Sequence, residues 1–593
     1  MKLAEVMRKI GVGKLACALL VVLPLVCGAA TYYASPDGTG SGTYESPYSL
    51  SAGINKVKTY AHTLILKPGR YLLSSPIAFN GTGSGTPTKV LGETGNPADV
   101  ILDAQFTCEA MRLNRNVLVA GITIMNGNHA NASLDTRSAG VRVGYSANLD
   151  TLSVVSNCVI TCCSNAFTSS SKTSGTVIYG GAVCVYDSGL LVDSYVTNNT
   201  AAYRSGGVVF KNGVVRGCTI SGNSGPEGGG GVFCERSSSG VLADSTISGN
   251  TATNGGGGGG VSCYLDGSSL VITNCTIVGN ASGFGGGLDV WSAATVTCLD
   301  CRFEQNEATT IGGGMRVTGA ANGVFSGCIF DGNRTTGAND HGGGGCIVYG
   351  QSGDGFVSLS NCVFRNNYSN TRGGGFSGGW NKNMRAELVG CVITNNSSVR
   401  QGAGVMIRDN QTVSDCSVAL RNCLVAFNHA NAEGGGVYFV ATNAVLDSCT
   451  IVSNRVKSTS PGAGLYHRWG GAVTNCVIAF NMKGASLDTG SYWCLNGNAT
   501  ADPSVYRNCC VWPAVSDVFL AENGCVNADP LFADPDHGDF TLLPNSPCRN
   551  AGMLEEWMEG ATDLAGGPRV SGRGVDMGCY ELFAPSGLNI IVR

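Results

Sequence analysis

Charge is what this chain has least of. Only 13% of its 593 residues are charged, and the formal net charge is −4. That excludes the basic footprint by which nucleic-acid binders hold phosphates. Histidine is scarce, six in all, and no histidine cluster or second C-x-x-C offers metal-ligand spacing. Beyond Val26 no apolar stretch is long enough to cross a membrane as a helix. The carboxylate clusters that a paired-acid hydrolase needs are not recognisable either. Glycine, by contrast, is abundant at 88 residues, but its placement is too regular for a disordered chain.

What is present is one short pattern, cleanest from Ile272 to Trp291: Ile-Thr-Asn-Cys-Thr-Ile-Val-Gly-Asn-Ala-Ser-Gly-Phe-Gly-Gly-Gly-Leu-Asp-Val-Trp. Its cysteine column runs Cys158, Ser194, Cys218, Ser245, Cys275, Cys301, Cys328, Cys362, Cys391, Cys423, Cys449 and Cys476. The mean step is roughly 29 residues, the mark of a solenoid. An apolar residue stands three before each member and another two after. An asparagine follows five after, from Asn199 to Asn481.

Cysteine and the apolar residue two later alternate as in a strand. The earlier apolar residue breaks that parity, so a bend separates two strands. Asparagine ends the second strand, where it tolerates left-handed backbone and its amide can bond from rung to rung. The glycine run makes the next corner, and a third strand follows at once, as in Val261-Ser262-Cys263 and Leu288-Asp289-Val290. Three short strands per rung make an all-β, single parallel β-helix. At about 4.8 Å per rung, some 15 rungs give a rod on the order of 70 Å long. Glycine runs and abundant Val, Thr and Ile argue against a helical repeat.

Met1 to Ala30 reads as a secretory signal, with Lys2, Arg8, Lys9 and Lys14 before the apolar Leu15 to Val26. A lipoprotein signal acylated at Cys27 is the alternative. Residues 31–89 form an N-terminal cap and first rungs. Within them Ser46-Pro47 precedes an amphipathic helix through Leu50, Ile54 and Val57, and a strand spans Leu64 to Leu66. A helix there would cover an open sheet edge. Residues 90–511 hold the repeats, and 512–593 form a C-terminal cap.

Three stretches carry family resemblances. Tyr33-Ala34-Ser35-Pro36-Asp37-Gly38, the capping helix and Lys67-Pro68-Gly69-Arg70-Tyr71 resemble the start of pectate-lyase-like right-handed β-helix proteins. The Cys-x-Ile-x-x-Asn…Gly-Gly-Gly repeats are similar to those of chlamydial polymorphic outer-membrane proteins, adhesins carried by an autotransporter barrel. No stretch of a barrel's length follows them here. Asp529-Pro530-Leu531-Phe532, Gly538-Asp539-Phe540, Asn545-Ser546-Pro547-Cys548, Asp563, Pro568-Arg569 and Val575-Asp576-Met577-Gly578-Cys579-Tyr580-Glu581 resemble the choice-of-anchor Q ending of secreted bacterial β-helix proteins. The resemblances imply a right-handed coil, secretion to the outside or the cell surface, and association with polysaccharide or another surface. They do not imply one activity.

Of the 27 cysteines, Cys17 and Cys27 lie in the leader, which leaves 25. Ser194 and Ser245 replace cysteine with no other change to the rung, so the column wants a small buried side chain. Cys298 and Cys301 occupy two core columns and read as packing. Cys548 and Cys579 stand where the anchor-Q family has small residues, which makes them a candidate disulfide.

With the first apolar residue of the third strand inward, Phe233, Ser262, Asp289, Arg316, Ile347, Ser377, Met406, Tyr438 and Tyr466 face out. Glu235, Tyr264, Trp291, Thr318, Tyr349, Arg408 and Arg468 do so two residues further on. Asp289 and Arg316 are the candidate catalytic pair. Glu235, Tyr264, Trp291, Tyr349 and Tyr438 are candidate binding residues, since sugar sites want aromatic platforms with polar groups between them. The competing reading is cross-rung pairing on an exposed sheet, with a surface ion pair of little weight. Asp340-His341 reads as a solvated turn, and His467 as a packed or corner residue. Asp529-Pro530 and Asp534-Pro535-Asp536 also read as turns.

The sequence therefore favours a secreted, monomeric, non-enzymatic rod that binds polysaccharide or another surface glycan. A polysaccharide lyase or glycoside hydrolase is the alternative, and a passive spacer the second alternative. No cofactor is expected, and Ca²⁺ enters only under the lyase reading.

Overall fold

The computed structural model describes residues 29–583 apart from 59–60, 81–85, 130–135, 146–151, 167–177, 180, 265, 351–353, 380–383, 409–416, 442, 469–470, 491–493, 496–504, 514–522 and 573. The leader expected over residues 1–30 lies outside them, save Ala29 and Ala30.

Each turn runs as the repeat predicts. In one turn a leading strand, Ser269–Thr273, is followed by a middle strand, Thr276–Val278, and then by a trailing strand, Leu288–Trp291. Like strands pair in parallel with those of the next turn, Ile272 with Cys298 and Ile277 with Phe303. Among the described residues the leading, middle and trailing sheets have 17, 16 and 15 strands. The result is a right-handed parallel β-helix, the hand that parallel crossovers adopt. A fourth ladder of 13 short strands, such as Ala281–Phe284, lies in the corner between the asparagine and the glycine run.

Backbone chemistry sets the corners. Between leading and middle strands one residue per turn has positive φ, as at Asn274 (50°), Asp300 (54°) and Asn422 (55°). Asn and Asp tolerate this conformation because their short side chains bond locally. At the glycine corner, Gly285 has φ of 56°, and a Cβ on Gly286 would sit 2.4 Å from the carbonyl oxygens of Glu307 and Gly313. A Cβ there would push the two backbones apart, which favours glycine, and alanine holds the same place at Ala403 and Ala463.

The core is a stack. Leu270, Ile272, Cys275, Ile277, Leu288 and Val290 are fully or almost fully buried in one turn, and Phe303, Phe330 and Phe364 stack at 4.8 and 4.7 Å in successive ones. The column cysteines behave as small core residues with a weak donor: Cys275 Sγ lies 3.3 Å from Thr273 O. Ser245 makes the equivalent contact at 2.6 Å, which explains the exchange of Cys and Ser. Cys298 and Cys301 belong to this core. The asparagines form a buried file: Asn306 Nδ2 donates to Ile277 O (2.8 Å) and Asn333 Oδ1 (3.0 Å). Its Oδ1 accepts from Asn280 N and Nδ2, both at 3.0 Å. His467 is fully buried, stacked 4.2 Å from Phe439.

The helix Leu50–Val57 buries Ile54 and Val57 beside the first turns. Its N-cap is Ser49, three residues after Ser46, and the Ser49 Oγ accepts from Ala52 N at 3.4 Å. At the other end, Val526 bridges to Cys510 beyond the last middle strand, Cys510–Trp512. The chain then folds back along the flank of the rod. Phe532, Phe540, Leu542, Met577 and Cys579 pack on the outer faces of Leu424, Ala426, Val452, Val477 and Ala479. Corner asparagines hold this strap: Asn422 Nδ2 donates to Thr562 O (3.0 Å), Asn475 Nδ2 to Met553 O (2.8 Å), and Asn508 Nδ2 to Ala551 O (3.0 Å). Trp557 Nε1 donates to Asp447 Oδ2 at 2.6 Å.

The polar residues of the C-terminal motifs serve the strap itself. Arg569, wholly buried, donates to Glu581 Oε2 (3.0 Å) and to the carbonyls of Asp576 and Gly578 (2.9 and 2.8 Å). Asp563 accepts from Gly567 N and Glu581 N at 2.8 and 2.9 Å. The expected bond between Cys548 and Cys579 is not formed: both thiols are free. Cys548 lies beside Cys510, and the Cys579 backbone N–H donates to Thr450 Oγ1 at 3.1 Å. The two cysteines fill separate places in the apolar layer under the strap.

Candidate functional site

The outer face of the trailing sheet is not the open strip that the alternation suggests. Phe233, Ser262, Ile347, Ser377 and Met406 are fully buried although they point away from the core. The corner ladder supplies the cover. Its longer strands, Thr251–Gly256 and Glu307–Ile311, fold toward this face, so Ile311 packs with Ile347, Tyr349 and Met406. Tyr349 is thereby buried and offers no platform to a ligand.

The stretch around Tyr264 and Trp291 stays open. A cleft of about 510 Å³ is lined by Tyr264, Trp291 and Arg316 from trailing strands, and by Tyr203, Arg204, Glu227 and Phe284 from the corner side. Tyr264 and Trp291 are register partners, and their rings meet at 4.5 Å and 43°. The Arg204 guanidinium lies 5.3 Å from the Phe233 ring and 5.6 Å from that of Tyr264, and its Nη1 is 3.7 Å from Glu227 Oε2. Arg316 sits 4.2 Å over Phe284. The rim thus combines aromatic faces with guanidinium and carboxylate heads.

Asp289 and Arg316 are paired as the sequence suggests but are not a surface pair. Asp289 is 0% exposed and Arg316 7%. Arg316 Nε donates to Asp289 Oδ1 (2.6 Å) and Nη2 to Oδ2 (2.8 Å), a bidentate contact. Burial alone would lower the Arg316 pKa. The Asp289 carboxylate and its hydrogen bonds outweigh burial, with a smaller contribution from Tyr349, and hold the pKa above the usual value. With both oxygens engaged, Asp289 is not placed to remove a proton.

Glu235 follows Cys234, the register partner of Cys263, so it stands in one row with Tyr264 and Trp291. It is absent from the cleft lining. Its Oε2 is buried without a hydrogen-bond partner, and burial pushes its pKa up to about 7 against the pull of Arg204, Lys211 and Arg236. Tyr438 stacks on Tyr466 at 5.0 Å, five and six turns beyond Trp291. Asp340 is no isolated solvated turn, because Arg372, Arg400 and Arg408 surround it.

Tyr203, Arg204, Glu227 and Phe284 escape sequence reasoning. They fall in the gap between asparagine and glycine run, whose length varies and whose side-chain direction no period fixes. Gap length gives no signal either, since Glu227 and Phe284 each close a gap of only four residues, Asn223 to Gly228 and Asn280 to Gly285. Among the described residues no group of three or more His, Cys, Asp or Glu could hold a metal, and no helix is long and apolar enough to cross a membrane.

No curated protein matches the sequence. Among solved structures, a mannuronic acid specific polysaccharide family 6 lyase from human gut microbiota aligns at 14% identity over 66% of this chain and 86% of its own, TM-score 0.36. A pectate lyase aligns at 15% over 93% and 96%, TM-score 0.21. The catalytic unit of an α-1,3-glucanase from Streptomyces thermodiastaticus aligns at 11% over 74% and 69%, TM-score 0.31. At such values these likenesses say nothing about activity. The family model of the right-handed β-helix region matches residues 168–312 and 228–353, and those turns contain every residue that lines the cleft.

Proposed function

We propose that this β-helix acts outside the cell as a polysaccharide-binding rod, with the cleft at Tyr264 and Trp291 as its sugar site. The observation that carries the reading is the pair of adjoining rings in an open cleft rimmed by Arg204 and Glu227. Aromatic faces take the apolar faces of sugar rings, and charged heads bond the hydroxyls between them. Mutual engagement of Asp289 and Arg316 favours binding over chemistry. The alternative is a glycoside hydrolase, for which Glu235, in one row with Tyr264 and Trp291 though outside the cleft lining, would be the acid, its carboxyl held up by burial.

The test uses residues 31–593 with a panel of soluble and insoluble polysaccharides, read for co-sedimented protein and for new reducing ends or unsaturated products. Binding without products is expected, and Trp291→Ala should weaken it about two- to tenfold, the size of a lost stacking contact. Products that vanish in Glu235→Gln would replace this reading with the enzymatic one. Neither binding nor products would leave the rod a spacer.

A further inference from the structure

The cysteine file runs on past the strict repeat. Thr450 pairs with Val477, and Val477 with Cys510, so Cys449, Cys476 and Cys509 stack at one place in successive turns. Val526 bridges Cys510 in parallel, and its N–H donates to Cys509 O at 2.8 Å. That sets Cys525 on Cys509 as the next member. From Cys275 to Cys525 every member is a cysteine, whereas Ser245 and Ser194 interrupt the file toward the other end.

The sulfurs share one setting. Cys476 Sγ and Cys509 Sγ each lie 3.2 Å from the carbonyl oxygen two residues earlier, and Cys525 Sγ lies 3.9 Å from that of Asn523. A repeated setting spaces them by one rise, about 4.8 Å. Cys476 and Cys509 are fully buried, but Cys525 is half-buried, so the file reaches solvent at this end. Serine serves the packing at Ser194 and Ser245, so packing does not demand sulfur at the open end.

A disulfide would draw the Cβ atoms to about 3.8 Å, well inside the strand spacing. Structural zinc wants four ligands. Cu(I) is a soft ion that selects thiolates and is satisfied by two of them in line. A metal–thiolate bond is about 2.3 Å long, so two in line span about 4.6 Å, within a few tenths of an ångström of the rise.

We propose that Cys509 and Cys525 bind one Cu(I) ion between them, at the C-terminal mouth of the file. Each thiol gives its proton to solvent as its bond to copper forms, so two protons leave per ion and copper keeps its oxidation state. The backbone N–H of Cys476, 3.5 Å from Cys509 Sγ, faces a sulfur that gains charge. The thiols further in are fully buried, which confines binding to the terminal pair. The site stands apart from the sugar-binding reading.

The test titrates residues 31–593, reduced and kept under argon, into Cu(I) held by bathocuproine disulfonate, whose colour fades as the protein takes the ion. One ion per chain should transfer, with an ultraviolet sulfur-to-copper charge-transfer band. Cys525→Ser and Cys509→Ser should each lower the affinity at least about a hundredfold and abolish the band, since even an outer-shell partner of a metal is worth about ten- to a hundredfold. Both should fold, because serine already stands in this column at Ser194 and Ser245, and melting temperatures close to wild type check that. Cys476→Ser, one turn inward, and Cys162→Ser, at the exposed thiol, should leave affinity and band unchanged. Affinity that survives Cys525→Ser, or that falls as far in Cys476→Ser, overturns the site, and so does a wild-type chain that takes no copper.

Discussion

Asp289 and Arg316 offer the sharpest test of what the floor of the cleft is for. Asp289→Asn keeps the volume but leaves the Arg316 guanidinium, 7% exposed, without its counter-charge. Arg316→Met strands the carboxylate, and it also removes the cation from the Phe284 ring. Breaking a buried pair from one side destabilises by about 3–5 kcal/mol, whereas replacing both partners with apolar groups of similar size is close to neutral. Each single variant should therefore lose about 3–5 kcal/mol, and Asp289→Leu with Arg316→Met should recover most of it, a coupling of at least about 2 kcal/mol. A solenoid need not unfold in one step, so the assay is amide hydrogen exchange over Leu288–Trp291 and Met315–Thr318, which reads local opening. Costs that simply add in the double variant would refute the reasoning. A catalytic pair would show the reverse: local exchange nearly unchanged, with product formation lost in each single variant.

Other consequences can be checked as directly. Asn306→Ala removes four hydrogen bonds and orphans the buried Asn280 N–H, so exchange at that amide should report a loss of about 2–4 kcal/mol. A change below about 1 kcal/mol would show that the file is ornamental. The Glu235 carboxyl has its folded pKa raised to about 7 from 4.5. Its contribution is therefore fully present below pH 4.5 and is lost as pH rises through about 7. The melting temperature should fall across that window and fall less in Glu235→Gln. Glu581, raised in the same way, keeps part of the slope in both proteins, so identical slopes would clear Glu235 of the effect. Thiol titration of residues 31–593, denatured without reductant, should count at least the 23 thiols that are free among the described residues, and peptide mapping that finds Cys548 linked to Cys579 would restore that bond. In the native protein Cys162 should react first, since it is the exposed one among the described cysteines.

The coil was legible because its determinants are local and repeated. Asn and Asp at the first corner, the Cys or Ser behind it, the amide file and the glycine run each answer one steric or hydrogen-bonding demand per turn. Alternation along the third strand correctly sent Leu288 and Val290 inward and Asp289 outward. It could not show that outward here means covered, because the cover comes from corner strands of variable length. Tyr264 and Trp291 were within reach as register partners. Arg204, Glu227 and Phe284 were not, since no period governs their direction. The strap was visible as a motif, but its anchoring to Asn422, Asn475 and Asn508, far away in sequence, was not.

That strap bears on how the rod carries load. Bonds between turns run along the long axis, so tension at an end acts first on the outermost turn. At the C-terminal end the strap ties the corners of four successive turns, at Asn422, Asp447, Asn475 and Asn508, and lies alongside them as a splint. Those turns cannot part singly while it holds, and a fracture is moved toward the unsplinted turns before Asn422, where only the sheets and the amide file resist the pull.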